Sequence, residues 1–377
     1  MSAFRMLCAA SVLVSLFVAN VAVCPAASRQ KYILVEDVDQ WQVDSYCGSR
    51  AVRHFLQGPK LEGARPGIMT FDGQGNAYVA CGTFVQIVTR SGQVRILAGA
   101  PGVSGATDGA PWQATFTDAA VIESAGDDTL YVVDSGSFTL RKIEKRPGGQ
   151  WYTQTVAGVP GRQGHRDGPG KQALFTTPFD SLAVDEKGVV YTLDGNWLRK
   201  VENGVVTTLN GGTGRRNGPL KQALFDRIMG GLQCLAYDGK GALYVGDRWG
   251  MAVRKVDLKK RLVTTVAGCL PDAKKGRPTD GPALDARFHP GGGPVAVFYN
   301  RTYDFVLCRS ADEGGRIRRI SGGWMKTFGP GPGKKTALVG PWRDCVGGNP
   351  CGVDAGGNVY IRGAGCIRVI SKKAKNR

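Results

Sequence analysis

The strongest constraint on this chain is a turn that recurs at fixed distances from aromatic residues. Asp72, Asp185, Asp238 and Asp354 each precede a tyrosine by six residues, at Tyr78, Tyr191, Tyr244 and Tyr360. Asp108, Asp167, Asn217 and Asp280 are each followed by glycine, and each lies eight residues before a phenylalanine: Phe116, Phe175, Phe225 and Phe288. Tyr131 and Phe305 complete the first aromatic set, giving six copies about 56 residues apart. That interval is somewhat longer than the ~40–50 residues of familiar propeller blades. Such coincidences imply one supersecondary unit copied around an axis.

The unit is clearest over residues 156–225. Residues 181–185 form a short apolar run that stops at Asp185-Glu186-Lys187-Gly188, a tetrapeptide with turn chemistry. Residues 189–194 are β-branched and aromatic, and Gly195-Asn196 turns the chain. Residues 197–201 and 205–209 follow, split by Asn203-Gly204, a strong two-residue hairpin signal. Four strands joined by tight turns make an antiparallel meander of one blade. Glycine at 55 of 377 residues, many short strands and no long stretch of helical periodicity point to an all-β chain. The expected fold is a six-bladed β-propeller of four-stranded blades.

Residues 1–27 hold one basic residue, Arg5, an apolar run and small residues at Ala26 and Ala27, the composition of a secretory signal peptide. No later segment is apolar enough to cross a membrane as a helix. The remaining organisation is expected to be an N-terminal extension over 28–64, the propeller over 65–371 and a basic tail over 372–377. The last unit has only three strands before the chain runs into its lysines, which would leave an unpaired sheet edge. Residues 51–57 are expected to supply the missing outer strand by pairing with the strand at 366–370.

The pattern of Ala-Gly, Asp-Gly, Phe, Leu-Ala-Val-Asp, Val-Tyr, Leu-Arg-Lys-Val and Val-Thr-Thr-Leu resembles the NHL repeat from about Arg65 onward. It is strongest around Tyr131, Tyr191 and Tyr244. In the Tyr78 unit, Gln86 replaces the usual basic residue and Cys81 the aspartate that ends strand two. In the Phe305 unit the first turn reads Tyr299-Asn300-Arg301-Thr302. The resemblance implies a six-bladed propeller, in agreement with the count. Some NHL-type lyases hold zinc through several channel histidines, whereas here only His289 among His54, His165 and His289 falls near that place. Gluconolactonase-type propellers use dispersed acidic and amide ligands, for which no counterpart is evident.

No spacing has the form of a zinc site, a nucleophile elbow, a metalloprotease motif or a phosphate-binding loop. Ten cysteines are present, eight of them beyond residue 27. An even number in an exported chain admits disulfides, with Cys345 and Cys351 the candidate pair, while Cys81, Cys234 and Cys308 also read as buried thiols in strands. Asn300-Arg301-Thr302 matches a glycosylation acceptor. Asp134, Asp194 and Asp247 end strand two in three units. They read either as channel-mouth carboxylates or as partners of Arg141, Arg199 and Arg254, and their repetition favours the second reading.

The formal charge is +18, from 49 basic and 31 acidic residues. The long loops between units carry Arg162, His165, Arg166 and Lys171, then Arg215, Arg216 and Lys221, then Lys274, Lys275 and Arg277, then Lys334 and Lys335. In a four-stranded blade these loops share a face with the turns joining strands two and three, so they are expected to ring one mouth with cations beside Trp197 and Trp249. Solvation of long glycine-rich loops accounts for the same residues more plainly. The reading carried forward is an exported, monomeric, non-catalytic binding propeller for an anionic polysaccharide, envelope polymer or acidic protein. Nucleic acid is a less suitable partner for an exported chain, and no cofactor is expected. The alternative is a lyase or lactone hydrolase with a divalent cation in the channel. It requires three or more His, Asp, Glu or Asn side chains converging at one depth.

Overall fold

The computed structural model describes residues 32–33, 41–45, 67–90, 93–177, 179–226, 233–268, 279–288, 293–310, 317–327, 349–363 and 366–372. The chain is an all-β propeller, and among the described residues the one helical element is a single 3-10 turn at Leu220–Gln222. The clearest blade has strands Phe179–Val184, Val190–Asp194, Trp197–Glu202 and Val205–Thr208, in that order from the axis outward. At its third hairpin, Asn203 and Gly204 take φ of 51° and 73°. Two consecutive left-handed residues are what a primed two-residue hairpin requires, and asparagine and glycine adopt them at least cost.

The spacing of six between aspartate and tyrosine reflects a hydrogen-bonded box around the first turn. Asp185 Oδ1 accepts the amides of Lys187 and Val189, both at 2.9 Å, and Tyr191 donates its hydroxyl to Oδ2 at 3.2 Å. Asp72 with Tyr78 and Asp354 with Tyr360 repeat this, at 3.0 and 2.9 Å. Asp238 keeps its two amide bonds, to Lys240 and Ala242, but Tyr244 stacks on Tyr299 at 5.1 Å instead.

The spacing of eight between Asp/Asn-Gly and Phe has a different cause. The loop entering a blade first runs along that blade's own outer strand. Gly168–Pro169 pairs with Val206 and Val205, Gly218–Pro219 with Val263 and Leu262, and Gly281–Pro282 with Met325 and Trp324. Gly109 makes the same bridge to Thr153. Proline is tolerated there because an edge position demands no amide donor on its outer side. The chain then turns inward and buries Phe116, Phe175, Phe225 or Phe288, none more than 1% exposed. Each strip covers an edge that would otherwise invite association.

Five blades are contiguous pieces of chain, over 69–99, 119–157, 179–208, 235–267 and 294–327. A further five-stranded sheet joins Asn349–Val353, Val359–Gly363 and Cys366–Lys372 to Trp41–Ser45 and Tyr32–Ile33. The innermost strands touch their neighbours in a closed ring, from Met69–Phe71 round to Asn349–Val353 and back. The closing contact is tight: a Cβ on Gly352 would stand 2.8 Å from the Met69 side chain and 2.9 Å from its carbonyl oxygen.

The closure differs from the sequence expectation in the segment used. Trp41–Ser45 lies antiparallel to Lys372–Arg368, with Val43 opposite Ile370. Residues 51–57, expected in that place, lie outside the described residues. The apolar-polar alternation of Trp41-Gln42-Val43-Asp44 suits a strand equally well, and the earlier segment leaves longer chain to reach blade one. Val43→Pro is expected to remove a ladder donor and lower stability by roughly 1–3 kcal/mol, read as a lower urea midpoint. A midpoint equal to wild type would show that this strand does not hold the ring shut.

Candidate functional site

Asp134, Asp194 and Asp247 are fully buried, each beside the arginine of the next strand. Arg141 lies 3.6 Å from Asp134, Arg254 2.9 Å from Asp247, and Arg199 donates to Asp194. The same guanidinium groups reach outward to the entering loop, Arg141 to Asp108 at 2.9 Å, Arg199 to Asp167 at 2.8 Å and Arg254 to Asn217 at 2.7 Å. Each also lies over the buried phenylalanine, from Arg141 over Phe116 at 5.1 Å to Arg318 over Phe288 at 5.6 Å. Burial pushes the Asp247 carboxyl up to about 6, against the pull of Arg254 and two amides. The Asp194 carboxyl is raised for the same reason, opposed by the Thr176 amide, Arg199 and His165. These aspartates therefore tie blades to loops, and none faces the channel as a free ligand. In blade one Cys81 and Gln86 stand in their place, Sγ 3.8 Å from Oε1, with burial pushing the thiol up to about 12.

The loop cations differ in how they are held. Arg166 and Arg216 each donate through Nε and Nη2 to the carbonyl six residues on, of Gln172 and Gln222. Arg215 pairs with Asp226 at 2.6 Å. His165 Nδ1 lies 3.1 Å from Arg199 and 3.3 Å from Asp194, and its ring packs on Trp197 with centroids 4.0 Å apart. Arg162 is exposed beside the second blade's turn, where the Gly161 amide donates to Ser137. Lys171 and Lys221 are not on this mouth. Their loop segments dock on the outer hairpins, Gly170 on Gly204 and Leu220 on Arg261. Trp249 is half-buried on the loop face, its amide donating to Asp226 O and its ring under Arg248 at 5.6 Å. Lys274, Lys275, Arg277, Lys334, Lys335, His54 and His289 lie outside the described residues.

At the opposite mouth, where strands one and two join, the channel opens into a cavity of about 660 Å³. All six inner strands contribute to it, through residues such as Thr70, Glu123, Leu182, Ala236, Phe298 and Val353. Glu123 is half-buried in the wall, and burial pushes its carboxyl up to about 7, with Arg301 pulling the other way. Its strand neighbour is Tyr131. Opposite the equivalent tyrosines stand Thr70, Ala183, Ala236 and Gly352, all small. Arg301 lies over Tyr237 at 5.6 Å, and Tyr237 donates to Glu186, which holds the Glu186 carboxyl below its usual range. The repeat pattern passes over Glu123 and Arg301, although a charge at a position otherwise uncharged was visible in the sequence; in the fifth blade Phe298 stands there, opposite Leu307. Among the described residues no three His, Cys, Asp or Glu side chains are grouped to hold a metal ion.

Two modification readings also meet the structure. Asn300 is fully buried, donating Nδ2 to Gly357 O at 2.8 Å and accepting the Tyr303 amide at 3.1 Å, so it is closed to glycosylation. Cys351 is 1% exposed, its Sγ 3.5 Å from Tyr360 O, and Cys345 lies outside the described residues. Cys81, Cys234 and Cys308 are buried free thiols.

No protein-family model matches the chain and no curated protein matches it. Solved structures do resemble it. An auxiliary nutrient binding protein from Bacteroides thetaiotaomicron superposes with TM-score 0.55 at 14% identity, covering 82% of this chain and 70% of that one. A second auxiliary nutrient binding protein, from Bacteroides ovatus, gives 0.53 at 14% over 82% and 69%. A gluconolactonase from Xanthomonas campestris gives 0.50 at 12% over 93% and 97%. At such identities the likeness establishes the propeller fold.

Two stability outcomes follow from the buried charges. Arg254→Met leaves Asp247 buried without its cation and is expected to cost roughly 3–5 kcal/mol, with partial recovery in the Asp247→Asn/Arg254→Met pair. Additive losses in urea unfolding would contradict the coupling. Glu123 holds its proton in the folded state up to about 7 but releases it near its ordinary 4.5 when unfolded. Its contribution to stability is therefore lost as pH rises from about 4.5 to 7, by on the order of 3 kcal/mol. Glu123→Gln should flatten that part of the wild-type pH–stability curve, and parallel curves would refute it.

Proposed function

We propose that the chain is an exported, non-catalytic binding propeller of six NHL-like blades, acting as a monomer, whose loop face takes an anionic polymer or an acidic protein. The observation that carries this reading is how Arg166 and Arg216 are braced. Each guanidinium is held at two nitrogens by a neutral carbonyl, in matching positions on successive blades. It is thus oriented without being neutralised, unlike the buried arginines of the blades. Arg162 adds a solvated charge, and the half-buried Trp197 with His165 adds ring surface of the kind that stacks on planar or sugar groups. The excess of +18 supports long-range attraction of a polyanion. The six-blade count is supported by the closed ring of inner strands, with the composite sheet as the last blade. The NHL reading is supported by the repeated Asp–Arg–Asp/Asn–Phe cluster, and export by the composition of residues 1–27.

A lyase or lactone hydrolase with its site in the channel is the second reading. Glu123, an acid poised near neutrality, favours it. It calls for at least two further ligands or acid–base groups at that depth.

The test is binding to an immobilised sulfated polysaccharide. Affinity should fall steeply with added salt, and Arg162→Gln/Arg166→Gln/Arg216→Gln should weaken it by about tenfold or more. Binding indifferent to salt, or unchanged in the triple variant, would overturn the reading.

A further inference from the structure

The cavity at the opposite mouth holds a charge arrangement that the loop-face reading leaves unused. Its polar lining is almost wholly committed. Gln233 bonds the Leu182 amide and the carbonyls of Leu182 and Leu235. Ser124 donates to Gly126 O, Thr302 to Ala355 O, and Tyr299 to Asp304. The aspartates at 72, 185 and 354 are each engaged by turn amides, and Glu186 by Tyr237. Among the described residues, two lining side chains make no hydrogen bond or ion pair: Glu123, half-buried in the wall, and Arg301, exposed at the rim. They are close enough to influence each other, yet they form no salt bridge.

An uncompensated acid in such a wall is costly unless something fills the space beside it. We infer that this cavity binds a small zwitterion of the amino-acid or short-peptide class, its ammonium on Glu123, its carboxylate on Arg301 and its apolar side chain against Leu182 and Phe298. A volume of about 660 Å³ lies within the ~300–1,000 Å³ of small-molecule sites. Guanidinium presents a planar fork suited to a carboxylate. Carboxylate Glu123 accepts up to three hydrogens from an ammonium, an exchange that a neutral ligand does not offer.

The site carries its own pH signature. Charged and titratable groups facing the cavity beside Glu123 are Arg301, Tyr237, Tyr299, Glu186 and the three turn aspartates, and burial raises the Tyr299 hydroxyl. Burial pushes Tyr237 up to about 12, so Glu123 is the member poised near 7. Below that pH it is protonated and cannot hold a cation. Affinity should therefore rise with pH through about 7, and binding below 7 should release a proton.

The experiment is calorimetric titration of the full chain with leucine, phenylalanine and the dipeptide Leu-Leu, beside their N-acetyl and C-amide forms. At least one free zwitterion should bind, with either blocked form about tenfold weaker. Glu123→Gln and Arg301→Gln should each cost about tenfold, and Glu123→Gln should abolish the pH dependence. Both variants can be checked for folding by thermal melting, and the exposed Arg301 change serves if Glu123→Gln fails to fold. The loop-face triple variant should bind as wild type, because its residues lie at the other mouth. Absence of binding by every zwitterion, equal binding of blocked forms, or wild-type affinity in Arg301→Gln would overturn the inference.

Discussion

The architecture depends on a buried guanidinium repeated in four successive blades. Arg141, Arg199 and Arg254 each join an aspartate at the end of strand two, a side chain of the entering loop and the face of a phenylalanine. Arg318 keeps the loop and phenylalanine parts, toward Asp280 and Phe288, while Ser310 ends its strand two. An isolated charge in such a place would be prohibitive, and the cluster is tolerable because carboxylates, loop oxygens and a ring face surround the guanidinium. It also fixes the path of the loop, which is why a run of only eight residues can cover an outer edge and return.

Most of this was legible because repetition exposes constraint. The Asp–Tyr and Asp/Asn–Phe spacings are direct imprints of hydrogen bonds and of a strip laid along an edge, and both were readable before any coordinates. The partnership of Asp134, Asp194 and Asp247 with the following arginines was readable too, since a reactive group is seldom needed in every blade. Less legible was the charge placement. Lys171 and Lys221 share loops with Arg166 and Arg216, yet their segments dock on the outer hairpins, so neighbours in sequence finish apart. Linear order carries no sign of that reversal.

The cavity was hidden for the opposite reason. A reading that searches for what recurs discards what does not, and both unpaired charges sit where the copies break rank. Glu123 occupies a position that is uncharged in the other blades, in a unit that lacks the turn aspartate. Arg301 belongs to the turn that departs most from the pattern. Departures from a repeat are where local rules yield to something other than folding. The same is true of Asn300, whose acceptor motif was in plain view while its amide serves as an internal brace.

The composite sheet has a bearing on how the ring comes into being. Its outermost strands, at Tyr32–Ile33 and Trp41–Ser45, are made early, and their partner at Cys366–Lys372 emerges only after every blade between them. Blades that are contiguous can assemble as they appear, but the join cannot be made until the far end arrives. That ribbon precedes its mate by every contiguous blade, so the join is a contact between segments more than three hundred residues apart, the kind of non-local pairing that forms slowly.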